Sequence, residues 1–211
     1  MEDRSDDFGV TRLAAGWFVQ CWWAHYASAD ELLQDVARVA PPEVLQQHIR
    51  DASSLVASPL TGEQLAALWT SAASGYHAPS VDGLDGRQWF ARMVEVFAPA
   101  VPDAAAFDAE AARDLRPEVV AGVVAIVRTL SVSRDFGDVL LGERFLRGAL
   151  VELAEGGFPE LALRFYLRLA IVHLSPVSHS LYEDIKRVGA AFGYGPFIIE
   201  RLERVIEIGA E

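Results

Sequence analysis

Two stretches of this chain, 45 residues apart, echo one another. Residues 125–138 read AIVRTLSVSRDFGD and residues 170–184 read AIVHLSPVSHSLYED. Each is an apolar helix end, then a Ser-rich turn, then an acidic helix start. The spacing leaves room for two helices and their turns in each unit, so it predicts paired helical units around one core.

Elsewhere, too, the chain reads as helices. Capping boxes, in which a side chain and a backbone N–H three residues apart exchange bonds, appear at Ser28-Ala-Asp-Glu31, Thr61-Gly-Glu-Gln64 and Ser180-Leu-Tyr-Glu183. Asp85-Gly-Arg-Gln88 has the look of a further cap. Pro42, Pro117 and Pro159 suit first turns. The spacing of apolar residues predicts a first helix over about Val10 to Ala27, and a central, nearly all-apolar one over 159–174. Further helices are expected at about 103–114, 117–130, 137–154, 180–192 and 196–209. Strand patterning is thin. The expected fold is all-α, a multi-helix bundle of about nine to ten helices, with two similar helix-pair units in its C-terminal half. Residues 1–100 would form an N-terminal helical region and 101–211 a C-terminal helical domain.

Composition limits function. Of 211 residues, 52% are hydrophobic and 23% charged, enough for a substantial core. Net charge is −12, with 13 acids against 6 bases in residues 1–100 and 17 against 12 in 101–211. Neither half offers the cationic face that nucleic acid or an anionic membrane requires. The start, MEDRSDDFGV, is acidic where a secretion signal is basic. No apolar run reaches the ~20 residues of a membrane span. Cys21 is the one cysteine, so no intrachain disulfide can form. These points predict a cytoplasmic protein. A single lysine, Lys186, and no asparagine fit the coding bias of a GC-rich bacterial genome.

The stretch LALRFYLRLAIVHLSPVSHSLYEDIKRVGAAFGYGPFIIERLERVI, with its capping box and small-Gly-hydrophobic helix junction, resembles the tellurite-resistance TerB-like helical domain over about residues 117–209. The resemblance implies two similar halves and an acidic loop able to gather a metal ion. Asp135, Asp138 and Glu143 match that loop in part. The second half has Ser175-Pro-Val-Ser178 instead, so half of the ligands are missing. Too few oxygens remain for a closed Ca²⁺ sphere, and neither a bound metal nor a cofactor is expected.

Other candidates are few. Asp135 and Asp138 also read as a cap and first turn of a helix. His179 and Glu183 stand four apart, near His173, but no third ligand is evident. Arg164 and Arg168 share a face of the central helix, where carboxylates such as Glu152, Glu160 or Asp184 would pair with them. Cys21 has no neighbouring base, and no catalytic sequence motif is present, so an enzyme is the lesser expectation. The densest feature is the run Trp17, Phe18, Trp22, Trp23 and Tyr26. On one helix Trp22 and Trp23 would diverge by about 100°, more than one core seam absorbs. Trp17, Trp22, Trp23 and Tyr26 are therefore the expected ligand or partner surface.

These observations predict an acidic interaction module, stress- or envelope-associated through its TerB-like resemblance, whose partner is a protein with a basic surface. A second copy of the chain is an alternative partner. Two other functions stay open: an immunity or inhibitor protein for a basic toxin, and an enzyme or small-ligand protein with an aromatic pocket near Trp17–Tyr26.

Overall fold

The computed structural model describes residues 8–101, 116–132 and 142–206. Side-chain surroundings are described for all of these except 196, 197, 204 and 205. Asp135 and Asp138 lie outside the described residues. The fold is all-α, and no strand occurs among the described residues. The chain divides into two compact units, Phe8–Arg113 and a unit dominated by Asp114–Glu211.

The N-terminal unit holds α1 (Gly9–Gly16), α2 (Ala29–Val39), α3 (Pro42–Ala57), α4 (Gly62–Ala72) and α5 (Gly86–Phe97). Helix α5 is its axis and packs on α2, α3 and α4, while α1 lies on α3 and α4. Leu13, Leu33, Leu55, Leu68, Trp69, Trp89, Phe90 and Phe97 are wholly buried between them.

Local chemistry explains the boundaries. Thr61 and Asp85 close their capping boxes with Gln64 and Gln88. Ser28 caps α2 by accepting from the Glu31 N–H, but Glu31 reaches one residue further back, to the Ala27 N–H at 2.6 Å. Helix α1 has no side-chain cap of its own. Its first-turn donor, Val10 N–H, instead gives 3.0 Å to Oδ2 of Asp51, a buried residue of α3. Gly86 allows the α4–α5 crossing, because a Cβ there would stand 2.1 Å from the backbone nitrogen of Ala66. The Arg87 guanidinium then donates to the carbonyls of Val56, Ser58 and Leu60, tying the α3–α4 turn to α5.

The expected first helix over Val10–Ala27 is corrected. Helix α1 ends at Gly16, and Trp22–Ala24 is a separate 3₁₀ turn. Cys21 between them has φ 67°, a left-handed conformation that no continuous helix contains. The aromatic run is therefore a loop, and the 100° divergence of Trp22 and Trp23 does not apply.

The C-terminal unit holds α6 (Pro117–Val127), α7 (Glu143–Glu155), α8 (Pro159–His173), α9 (His179–Ala191), α10 (Pro196–Glu200) and α11 (Glu203–Ile206). Helix α8 is buried along most of its length: Leu163, Phe165, Tyr166 and Ala170 have no exposure. Leu174 ends it with φ 52° and is exposed, and Ile171 is half-buried. The echo brings its two Ser-rich turns together, with the Ser131 N–H donating to Oγ of Ser175 at 2.8 Å. Helix α6 packs on α7, α8 and α9, and α7 also packs on α8. Ser178, not Ser180, caps α9 by accepting from the Leu181 N–H, so His179 opens the helix.

Candidate functional site

Phe18 is where the first loop turns inward. It is 1% exposed and meets four aromatic neighbours: Trp22, Trp69 of α4, Trp89 of α5 and His77. The ring centroids of His77 and Trp89 are 4.5 Å apart, and those of His77 and Phe18 are 4.8 Å apart. Capture of Phe18 by this cluster offers a reason for the early end of α1. Burying a large ring is worth about 1.5–3 kcal/mol, enough to offset about two of the helical bonds forgone, at about 0.5–1.5 kcal/mol each.

His77 sits in the second loop. Gly75, with φ 76°, closes α4 by donating to the Thr70 carbonyl, and a 3₁₀ turn runs from Pro79 to Asp82. The imidazole is 3% exposed and uses both nitrogens. Nδ1 accepts from the Trp69 indole N–H at 2.8 Å, and Nε2 lies 2.7 Å from Asp82 Oδ2. An indole can only donate, so the proton of the neutral ring is on Nε2 and is given to Asp82. Burial holds the imidazole below its ordinary pKa of 6.5, against the opposite pull of the Asp82 carboxylate. The Trp89 indole N–H is buried in the same cluster with no hydrogen-bond partner.

The two loops meet above this cluster. The Trp22 indole donates to the Tyr76 carbonyl at 2.8 Å. Trp23, 55% exposed, stands with its ring 6.5 Å from that of Tyr76, itself 38% exposed. Val19 and Val81, on the same two loops, are exposed as well. Tyr26 gives its hydroxyl proton to Asp35, and this bond raises the phenol pKa. Neither residues 17–37 nor residues 51–86 contain Lys or Arg, whereas Asp30, Glu31, Asp35, Asp82 and Asp85 fall within them. The exposed face is apolar and aromatic; of these carboxylates, Asp30 pairs with Arg92, Asp35 with Arg38 and Asp82 with His77.

The four expected surface residues thus have different places. Trp23 is exposed, Trp17, Trp22 and Tyr26 are half-buried, and Phe18 is core. His77, Tyr76 and Asp82 were not anticipated; the signal was a Tyr-His pair inside a Gly-rich turn, with an acid five residues on. The volume beside Phe18 is filled by Trp69, Trp89 and His77.

In the C-terminal unit, Glu143 accepts from the Val132 N–H at 3.0 Å and pairs with Arg147 at 2.8 Å. Glu183 pairs with Lys186 and Asp184 with Arg187, while His179 is exposed and His173 buried. No group of three side chains suited to a metal ion gathers among the described residues. An open cleft of about 490 Å³ runs between α6 and α9, lined by Gly122, Ile126, Thr129, Leu181 and Val188 among others. Among the described residues, no helix is long and apolar enough to cross a membrane.

Comparison with known families places a match on the aromatic unit. Residues 9–97, under half of the chain, match the CdiI immunity protein family. No curated protein and no solved structure matches the chain. This corrects the TerB-like reading of residues 117–209, since the family found is a different one and lies in the other half. The features behind that reading, a helix pair with a Ser cap and a glycine junction, are common to helical proteins at large.

Proposed function

We propose that residues 9–97 form an immunity module that neutralises a protein toxin, and that the face around Trp23 and Tyr76 is where the toxin docks. The observation that carries this reading is the family match, which lies over the unit that builds that face. An immunity protein acts on a protein partner. The geometry suits such a partner. Trp and Tyr are enriched among residues that dominate binding energy, and Trp23 and Tyr76 stand exposed on a buried, rigid aromatic base. The absence of Lys and Arg from both loops, on a chain of net charge −12, favours a basic toxin surface, because opposite fields accelerate capture. The filled volume beside Phe18 favours docking over a ligand pocket. A cytoplasmic setting belongs to the same proposal, and the exposed thiol of Cys21 suits a reducing compartment.

The test is protection. Cells expressing each of a panel of bacterial toxin domains, basic and acidic, are grown with and without this chain. Rescue from a basic member is expected, and its loss in the Trp23→Ala, Tyr76→Ala double variant. A folded double variant that protects as well as the parent would remove this face from the proposal. Rescue from acidic members only would overturn the charge argument.

A further inference from the structure

We infer that His77 is a proton-operated latch for the two loops that form the aromatic face. The inference rests on the function proposed above only for its consequence; the latch itself is a property of the chain alone.

The geometry allows one protonation state. Both imidazole nitrogens are in use, Nδ1 as acceptor from Trp69 and Nε2 as donor to Asp82. A second proton could enter only at Nδ1. There it would point at the Trp69 N–H across 2.8 Å, two donors head to head. Water cannot take up the displaced donor, because Trp69 is wholly buried and His77 is 3% exposed. The ring is faced by Phe18 and Trp22 from the first loop, Trp69 from α4, Trp89 from α5 and Asp82 from its own turn. Asp82 is the one ionisable group among these, and it can steady an imidazolium on the Nε2 side only. Protonation therefore breaks the Trp69 bond while keeping the Asp82 one.

That bond anchors the second loop to α4. The loop in turn carries Tyr76, whose carbonyl receives the Trp22 indole from the first loop. Releasing His77 from Trp69 removes one tie of the residue next to Tyr76, and so loosens the exposed Trp22–Tyr76 bond, while the Gly75 and Tyr76 N–H groups stay bonded to Thr70 and Ala73. One proton thus changes the support of Trp23 and Tyr76 together. Histidine suits the role because its ordinary range of titration lies near neutrality.

Nuclear magnetic resonance on the full chain, without toxin, tests the latch. At about pH 7.5 the His77 nitrogens should show the Nε2–H tautomer, with Nδ1 unprotonated. On acidification the Trp69, Trp22 and Trp23 indole N–H signals should shift with one common midpoint, below the ordinary 6.5. His77→Gln, which keeps a neutral donor and acceptor, should abolish that common transition. A ring protonated on Nδ1 at neutral pH, or a His77 titration that leaves Trp22 and Trp23 unmoved, would overturn the inference. If His77→Gln does not fold, the tautomer and titration of the unaltered chain decide alone. With a neutralised toxin in hand, affinity should fall at least about fivefold between about pH 7.5 and about pH 5, the lower bound of ordinary coupling. A latch that works while affinity stays constant across that range would leave the latch standing and count against the docking face.

Discussion

The Trp22 indole N–H donates to the Tyr76 carbonyl across 54 residues of chain, at 2.8 Å. This one bond joins two loops that otherwise belong to different helix connections. Trp22→Phe removes the donor and keeps most of the ring. Because the bond is exposed, the unit should lose only about 0.5–1.5 kcal/mol in urea unfolding, while amide exchange in residues 17–27 and 74–83 should quicken together.

Trp69 and Trp89 are both wholly buried indoles, yet only Trp69 has a partner for its N–H. Trp69→Phe leaves His77 Nδ1 buried without its donor. Trp89→Phe loses similar volume and removes a donor that bonded nothing. The first should therefore cost about 1–3 kcal/mol more than the second. Equal denaturant midpoints for the two variants would show that the His77 bond contributes nothing.

Asp51 supplies the cap that α1 lacks, accepting from Val10 N–H, and its other oxygen takes a bond from Gln47 at 2.9 Å. Asp51→Ala strands a buried donor at the start of α1. A loss of about 1–3 kcal/mol is expected, with early exchange of the α1 amides. A loss confined to α3 would place the cap elsewhere.

In the C-terminal unit, Phe165→Ala should cost about 3–5 kcal/mol, from lost transfer energy and the cavity left in α8. A calorimetric loss under about 1 kcal/mol would place α8 at the surface.

Acid should weaken the Asp30–Arg92 pair. Hydrogen bonds from Arg92 hold the Asp30 carboxyl below its ordinary 3.8. A depressed carboxyl stabilises the fold above its unfolded pKa, and that contribution fades as pH falls through the folded one. Asp30 is 42% exposed, so the effect is at most about 1 kcal/mol. Arg92→Met should shift the acid-unfolding midpoint upward. Identical acid profiles for parent and variant would reject the pairing.

What the sequence disclosed was largely local. Thr61 with Gln64 and Asp85 with Gln88 cap helices because both partners of each cap lie within one turn, and the bundle follows from such signals. The end of α1 could not be read that way. Val10 to Ala27 keeps helical spacing apart from Gly16, and the chain leaves that spacing where Phe18 is buried among Trp69, His77 and Trp89. The left-handed Cys21 has no sequence signature, since that conformation ordinarily favours glycine or asparagine. Trp23 was legible as surplus aromatic area, whereas Tyr76 and His77 gain their roles from a loop that comes to Trp22 only in the folded chain. The echo of 125–138 and 170–184 does bring Ser131 to Ser175, but the family match lies over the half that has no echo.

Gly86 and Trp23 stand at opposite ends of what substitution can do to this unit. At Gly86 a single added methyl would meet the backbone of α4, so the helical frame is closed to change there. Trp23, Val19 and Val81 support nothing beneath them comparable to Phe18 or Trp69. A lineage can therefore rewrite the outward residues of the two loops without having to reinvent the scaffold that presents them.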